Sequence, residues 1–217
     1  MVVTKLQINS KKPKFVNLTL DDENKYLIYK DVVVKFGLKK NDTISETKLA
    51  DMLYQDEFYR AKDLALKYFS YRKRTEFELK QKLSTHKFNL KAVDAVMQNL
   101  KNIGLINDQE YAESFSNDTL KRKSVGKILL KQRLLQKGIH KEIVNQLIEK
   151  IYKDIDEKEN ALQTARKQLK KYRDSGKKYD EKHNQTRLAS FLSRRGYSWE
   201  VISQVIRKLF KTQQNSE

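Results

Sequence analysis

Two hydrophobic periods divide the chain. Over residues 2–28 apolar and polar side chains alternate, with Val2, Thr4, Leu6 and Ile8 on one face and Val3, Lys5, Gln7 and Asn9 on the other. The run Phe15–Leu20 alternates again, placing Val16, Leu18 and Leu20 together, and Tyr26-Leu27-Ile28 returns after the polar turn Asp21-Asp22-Glu23-Asn24. A period of two is the spacing of a strand with one buried face, so this region predicts a small antiparallel β-meander. Asp31–Phe36 predicts a short helix closed by Gly37 at the position after its C-cap. Beyond Ser45 the period changes to three and four. Leu49, Met52, Leu53, Ala61, Leu64, Ala65, Tyr68 and Phe69 form a stripe that predicts one long helix, or two abutting ones, over 46–71.

From Glu78 onward the pattern repeats itself. Aligned on Leu83, Leu134 and Leu192, the preceding apolar positions are Leu79, Leu130 and Leu188. The following ones are Phe88, Ile139 and Tyr197, then Val93, Val144 and Ile202, then Val96, Leu147 and Val205, then Leu100, Ile151 and Leu209. The register steps are 51 residues (83 to 134) and 58 residues (134 to 192), enough for three short helices each. Asn89, His140 and Ser198 fall where a helix N-cap is expected, and Asn and Ser are good caps. An apolar residue stands before each cap and another four positions inside the helix, a hydrophobic staple in the same register three times.

Composition sharpens this picture. One Pro, six Gly and 34% charged residues favour helix, while 38% hydrophobic content and a mean hydropathy of −0.80 suit thin helical modules better than one thick core. The excess of 46 Lys and Arg over 28 Asp and Glu gives a net charge of +18. That balance implies a polyanionic partner, nucleic acid or an assembly containing it, against the simpler alternative that lysine serves solubility. No segment combines a strongly apolar face with a basic one, so a membrane surface is not an expected partner. The absence of cysteine excludes disulfides and thiolate metal sites. With no leader-like start and no run near 18 apolar residues, the expectation is a cytoplasmic protein.

"YRKRTEFELKQKL" (71–83), followed by "GLINDQEYAESF" (104–115) and "GIHKEIVNQLI" (138–148), resembles the RecX family of recombination regulators. Members carry an Arg-x-Arg-Ser/Thr-x-x-Glu-Leu start and an Ile-Asp-Asp-x-x-Tyr/Phe-Ala link. The likeness covers about residues 60–210 and is loosest in the third repeat, with its insert "KKYRDSGKKYDEKHNQ" (170–185). Lys73 stands where Pro is common and Asn107 where Asp is usual. The N-terminal meander resembles an extension on some members. The resemblance implies a non-enzymatic regulator of homologous recombination and DNA repair. It would bind the RecA recombinase filament, interfere with its ATPase, strand exchange or growth, and require no cofactor. The alternative is a direct DNA-binding protein with helix-turn-helix-like modules and no recombinase partner. The expected oligomeric state is a monomer.

The candidate contact residues are cationic. Between Asp118 and Glu142 there is no acid, while Lys121, Arg122, Lys123, Lys127, Lys131, Arg133, Lys137 and Lys141 all occur. Lys123, Lys127 and Lys131 have the spacing of one helix face, with Val125, Ile128, Leu129, Leu134 and Leu135 as the expected buried side. This stripe reads either as a phosphate- or acid-binding surface or as a solvated face, and the lack of interleaved acids favours the former. Arg72, Lys73 and Arg74 precede the capping box Thr75-x-x-Glu78 and are expected on an exposed turn. Arg194 and Arg195, in the acid-free window from Lys182 to Trp199 that also holds Arg187, either bind a partner or complement a helix C-terminus.

Other chemistry is weakly supported. The acid groups Asp21-Asp22-Glu23 and Asp154-Asp156-Glu157-Glu159 lack a partner cluster or a histidine at ligand spacing, so neither metal nor catalysis is expected. Recognition helices at Asn89–Lys101 or Ser198–Lys208 would expose Asp94 or Glu200, which argues against base readout. Most aromatics fall on helical stripes, leaving Tyr172 and Tyr179 without an assignment. In "GLINDQEYAESF", Asn107 predicts an N-cap and Glu110 its N3 partner, which accounts for the acids without a metal. The resulting expectation is mainly α: three tandem three-helix repeats in an elongated array behind the meander. The divisions are residues 1–44, 45–107, 108–155 and 156–217.

Overall fold

The computed structural model describes residues 1–122, 124–174 and 180–211. They divide into two compact bodies, Met1–Ile106 and Asn107–Glu217. The first opens with strands β1 (Val3–Ile8), β2 (Phe15–Leu20) and β3 (Lys25–Tyr29), paired antiparallel in the order β1-β2-β3. Val16, Leu18 and Leu20 of β2 are buried as their alternation predicts, together with Ile28 of β3. β1 departs from simple alternation. Val3 pairs with Leu20 but Lys5 with Thr19, so Thr4 is an extra residue opposite none. This bulge lets Val3 and Leu6 share the inner face, while Ile8 stays 54% exposed.

Helix α1 (Lys30–Lys35) and the first half of α2 (Glu46–Tyr71) cover the sheet. At about 1.5 Å per residue, α2 is long enough to serve two cores. Its Leu49 and Met52 pack with the meander, and its Ala61 and Ala65 with α3 (Glu76–Ser84) and α4 (Leu90–Asn102). A buried ion pair ties helix to sheet: Asp56 accepts from the Tyr29 amide at 2.6 Å and from Arg60 Nε at 2.6 Å. Arg60 also donates to the Leu27 carbonyl and lies 4.6 Å from the Phe15 ring centroid. Burial pushes the Asp56 carboxyl above its ordinary value, while the Tyr29 amide and Arg60 pull it back. An i,i+4 acid–base pair looks like any solvated pair in sequence, so nothing there marks this one as a pin between elements.

The second body holds two three-helix modules: α5 (Asp108–Arg122), α6 (Lys127–Gln136) and α7 (Lys141–Lys153), then α8 (Glu157–Asp174), α9 (Glu181–Arg194) and α10 (Trp199–Lys211). The repeat-matched leucines Leu79, Leu83, Leu130, Leu134, Leu188 and Leu192 are all fully buried. Caps fall largely where the repeat frame puts them. Thr75, Asn89, Asn107 and Ser198 each accept a backbone amide two or three residues on. His140 occupies its cap position without a side-chain cap bond and faces Glu142 instead. The acids near 154–159 are structural: Asp156 caps α8 through the Glu159 amide, and Glu157 accepts from the Lys127 amide at 2.7 Å.

Within this body the second and third modules join backbone to backbone. The Gly126 amide donates to the Arg195 carbonyl at 2.8 Å, and the Ile128 amide donates to the Gly196 carbonyl at 3.1 Å. A Cβ on Gly126 would lie 2.3 Å from the Gly196 oxygen, and one on Gly196 would lie 2.2 Å from Leu129 Cβ. Gly196 also has φ +82°, a conformation that L side chains rarely adopt. Only glycine at both positions permits so close an approach.

Candidate polyanion-binding cleft

The sequence spacing puts Lys123, Lys127 and Lys131 on one face of a continuous helix, but the described chain is not helical just before Lys127. Helix α5 ends at Arg122 and α6 begins at Lys127, with non-helical Ser124-Val125-Gly126 between them. Lys123 itself lies outside the described residues. The break is set by Gly126, whose approach to Gly196 redirects the chain into α6. The buried side of α6 also differs: Leu130 and Leu134 are inside with Val125, whereas Ile128 is 54% and Leu135 40% exposed. Lys127 stands exposed, while Lys131, Arg133 and Lys137 are half-buried, and only Lys127 and Lys131 of the expected triplet follow one another on α6.

Two of its members nonetheless enter a shared site. Lys121 and Arg122, at the C-terminal end of α5, line a cleft of about 380 Å³ together with Lys167 and Lys171 of α8 and with Arg195 after α9. Gln163, Gln168 and Ser124 complete mostly polar walls, and among the described residues no Asp or Glu side chain lines it. Lys167 and Lys171 are one helical turn apart and both exposed, so they point along one face of α8 into solvent. Arg195 is positioned rather than loose: its guanidinium stacks 5.0 Å from the Phe191 ring centroid and donates to the Ser124 carbonyl at 3.4 Å. Part of this charge answers the negative end of α5. Five cations exceed what one helix terminus requires, and like charges held together without a carboxylate suit an anion. Burial pushes the phenols of Tyr152 and Tyr197 upward, so both stay neutral and add no opposing charge in this body.

Lys167 and Lys171 are not among the sequence candidates, and the same helix starts with Glu157 and Glu159. The signal that finds them is local: no acid occurs between Asn160 and Arg173.

The other expected contacts divide. Arg72 forms a two-pronged pair with Glu78, at 2.9 and 3.1 Å, and remains exposed beside Lys73. Arg74 is not the exposed residue expected: it is half-buried, donates from Nε to the Tyr68 carbonyl at 3.1 Å and stacks on the Tyr68 ring. The turn before Thr75 therefore has a structural job, linking α2 to α3. Arg194 is exposed and lines a different groove from Arg195. Arg187 is half-buried with its guanidinium 4.2 Å from the Tyr172 ring centroid, which accounts for one of the two unassigned tyrosines. Tyr179 lies outside the described residues. Among the described residues no three His, Asp or Glu side chains gather as a metal set, and no helix is long and apolar enough to cross a membrane.

Asn107 behaves as a cap: its Oδ1 accepts from the Gln109 and Glu110 amides at 3.1 and 3.0 Å. Asn107→Ala is expected to destabilise α5 by about 1 kcal/mol. Thermal unfolding should register that loss while affinity for an anionic partner, measured well below the transition, stays within twofold, roughly 0.4 kcal/mol. An affinity loss exceeding the stability loss would overturn the capping assignment.

The fold and this cleft define a protein of tandem three-helix modules with a cationic face and a small β-sheet extension. Family models agree module by module. The first three-helix domain of RecX matches residues 61–100, the second 107–148 and the third 156–206. The regulatory protein RecX of Clostridioides difficile (strain 630) is 31% identical over 208 residues, covering 96% of this chain and 95% of the relative. That of Clostridium beijerinckii is 33% identical over 207 residues, covering 95% of each. A crystal structure of regulatory protein RecX superposes with a TM-score of 0.72 at 23% identity, covering 94% of this chain and 98% of that one. RecX from Lactobacillus salivarius superposes at 0.60 with 27% identity over 71% of this chain. The chain belongs to the RecX family.

Proposed function

We propose that this protein regulates homologous recombination by binding the RecA recombinase filament and restraining its ATPase, strand exchange or growth without catalysing a reaction itself. The observation that carries the reading is the acid-free cleft of Lys121, Arg122, Lys167, Lys171 and Arg195 in a member of a family of regulatory proteins. A recombinase filament on single-stranded DNA is a long anionic track. Fixed cations in a polar cleft are suited to phosphate oxygens or to clustered acids on such a track. Lys127, Lys131 and Arg133 on α6 and Lys137 at its C-cap, with Arg72 and Lys73 in the first body, are further candidate contacts.

The DNA-dependent ATPase of the recombinase, measured with increasing amounts of this protein, tests the proposal. The expected result is a reduced rate as the protein approaches stoichiometry with the recombinase. An unchanged rate at several-fold excess would sink it. Tight binding to bare DNA, with log affinity falling steeply against log salt and the ATPase unaffected, would favour a direct DNA-binding protein.

A further inference from the structure

The third module carries an open groove at a position that, in the first module, is occupied by a bridging lysine. Between α9 and α10 lies a space of about 740 Å³ with mostly apolar walls, within the range of specific ligand and peptide-anchor pockets. Small residues make the room: Ala189 and Ser193 on α9 and Ser203 on α10. Trp199, the only tryptophan in the chain and 73% exposed, stands at the rim with Arg194 and Arg207. In the repeat register Ala189 and Ser203 match Lys80 and Asp94 of the first module. There Lys80 Nζ lies 2.8 Å from Asp94 and 3.2 Å from Glu76, bridging the same pair of helices. The rim is also particular to the third module. Trp199 replaces Leu90 and Lys141, Arg194 replaces Thr85 and Gln136, and Arg207 replaces Gln98 and Glu149.

We propose that this groove receives one large apolar side chain of an acidic peptide segment on the protein partner, with Trp199 packing against that anchor and Arg194 and Arg207 pairing with its flanking carboxylates. The inference rests on the recombinase reading and names the chemistry of the partner segment. A surface tryptophan beside two arginines, over a floor of small side chains with Ala189 and Ile206, is the composition of a protein–protein anchor site. A groove between two helices accepts such a segment as a helix or an extended strand. A nucleic-acid strand would instead need cations repeated along its phosphates and polar walls, which the cleft by α8 supplies and this groove does not. The two sites thus differ in occupant.

The test places fluorotryptophan in this chain alone, so that its single tryptophan gives a single fluorine resonance. Adding nuclease-treated recombinase, free of DNA, is expected to move that resonance, and adding oligo(dT) alone is not. Ala189→Lys, which rebuilds the lysine of the first module, and Trp199→Ala, which removes an exposed side chain, are each expected to weaken recombinase binding about tenfold or more. Both variants should keep the thermal transition of the parent protein. Recombinase binding by both variants at parental strength overturns the groove, as does movement of the resonance by oligo(dT) alone. A parent protein that binds no DNA-free recombinase overturns it too. The ATPase assay on DNA then decides the broader reading independently.

Discussion

Gly196→Ala is expected to cost about 3–5 kcal/mol, one of the largest single-residue effects in the chain. Two penalties add. An alanine held at φ +82° carries about 1–2 kcal/mol of backbone strain. Its Cβ also lands 2.2 Å from Leu129 Cβ and 2.3 Å from the Leu129 amide nitrogen. Half of that encounter is with backbone, so rotamer adjustment cannot relieve it; the second and third modules must separate. Separation lengthens the Gly126–Arg195 and Ile128–Gly196 hydrogen bonds and loosens the Lys127 amide from Glu157. Two further substitutions divide the cost. Gly126 has an ordinary backbone conformation, so Gly126→Ala reports the collision without the strain. Gly104 has φ +73° with open space where a Cβ would go, so Gly104→Ala reports the strain without the collision, about 1–2 kcal/mol. Chemical denaturation ranks the three, and amide exchange at position 126 and at Ile128 should quicken in Gly196→Ala and Gly126→Ala but not in Gly104→Ala. Equal costs for Gly196→Ala and Gly104→Ala would show that the modules do not depend on this approach.

That junction explains the boundary between what the sequence tells and what it conceals. Leucines spaced to one helix face, an apolar residue before Asn89, His140 and Ser198, and the glycines that follow α4, α6 and α9 are consequences of local geometry. They appear within a turn or two of the residue they constrain, and so the three modules are legible at Leu79–Leu83, Leu130–Leu134 and Leu188–Leu192. The bulge at Thr4 is not legible, because a period of two carries no mark where one residue is skipped. The cationic cleft is legible only in part. Lys121 and Arg122 sit in a run of basic residues that attracts attention, whereas Lys167 and Lys171 lie more than forty residues away behind two acids and join them through the meeting of Gly126 and Gly196. The same meeting lies in the non-helical segment 124–126, so Lys127 and Lys131 belong to a helix that starts only at Lys127. A face inferred from spacing holds only while the helix continues, and here a close approach seventy residues distant in sequence ends it.

Lys167→Glu combined with Lys171→Glu is expected to raise the concentration needed for half-maximal inhibition of the recombinase ATPase by about tenfold or more. The pair changes the cleft from five positive side chains to three positive and two negative. Both side chains are exposed on α8, so stability should change by no more than about 0.5 kcal/mol. Salt supplies a second readout. If each lysine neutralises one phosphate on the strand, losing two should flatten the slope of log affinity against log salt by about 1.4, at about 0.7 per contact on single-stranded DNA. If the cleft meets carboxylates on the recombinase, inhibition falls by a similar factor while binding to bare oligo(dT) is unchanged. Substituting Lys127 and Lys131 to Glu provides the comparison, since α6 carries them away from the cleft walls. Equal losses from both double substitutions would mean that the cleft has no privileged role, the partner meeting α6 equally or responding to net charge alone. A loss confined to Lys167 and Lys171 would place the contact in the cleft, where cations from three separate helical segments are held within reach of one another by the glycine junction.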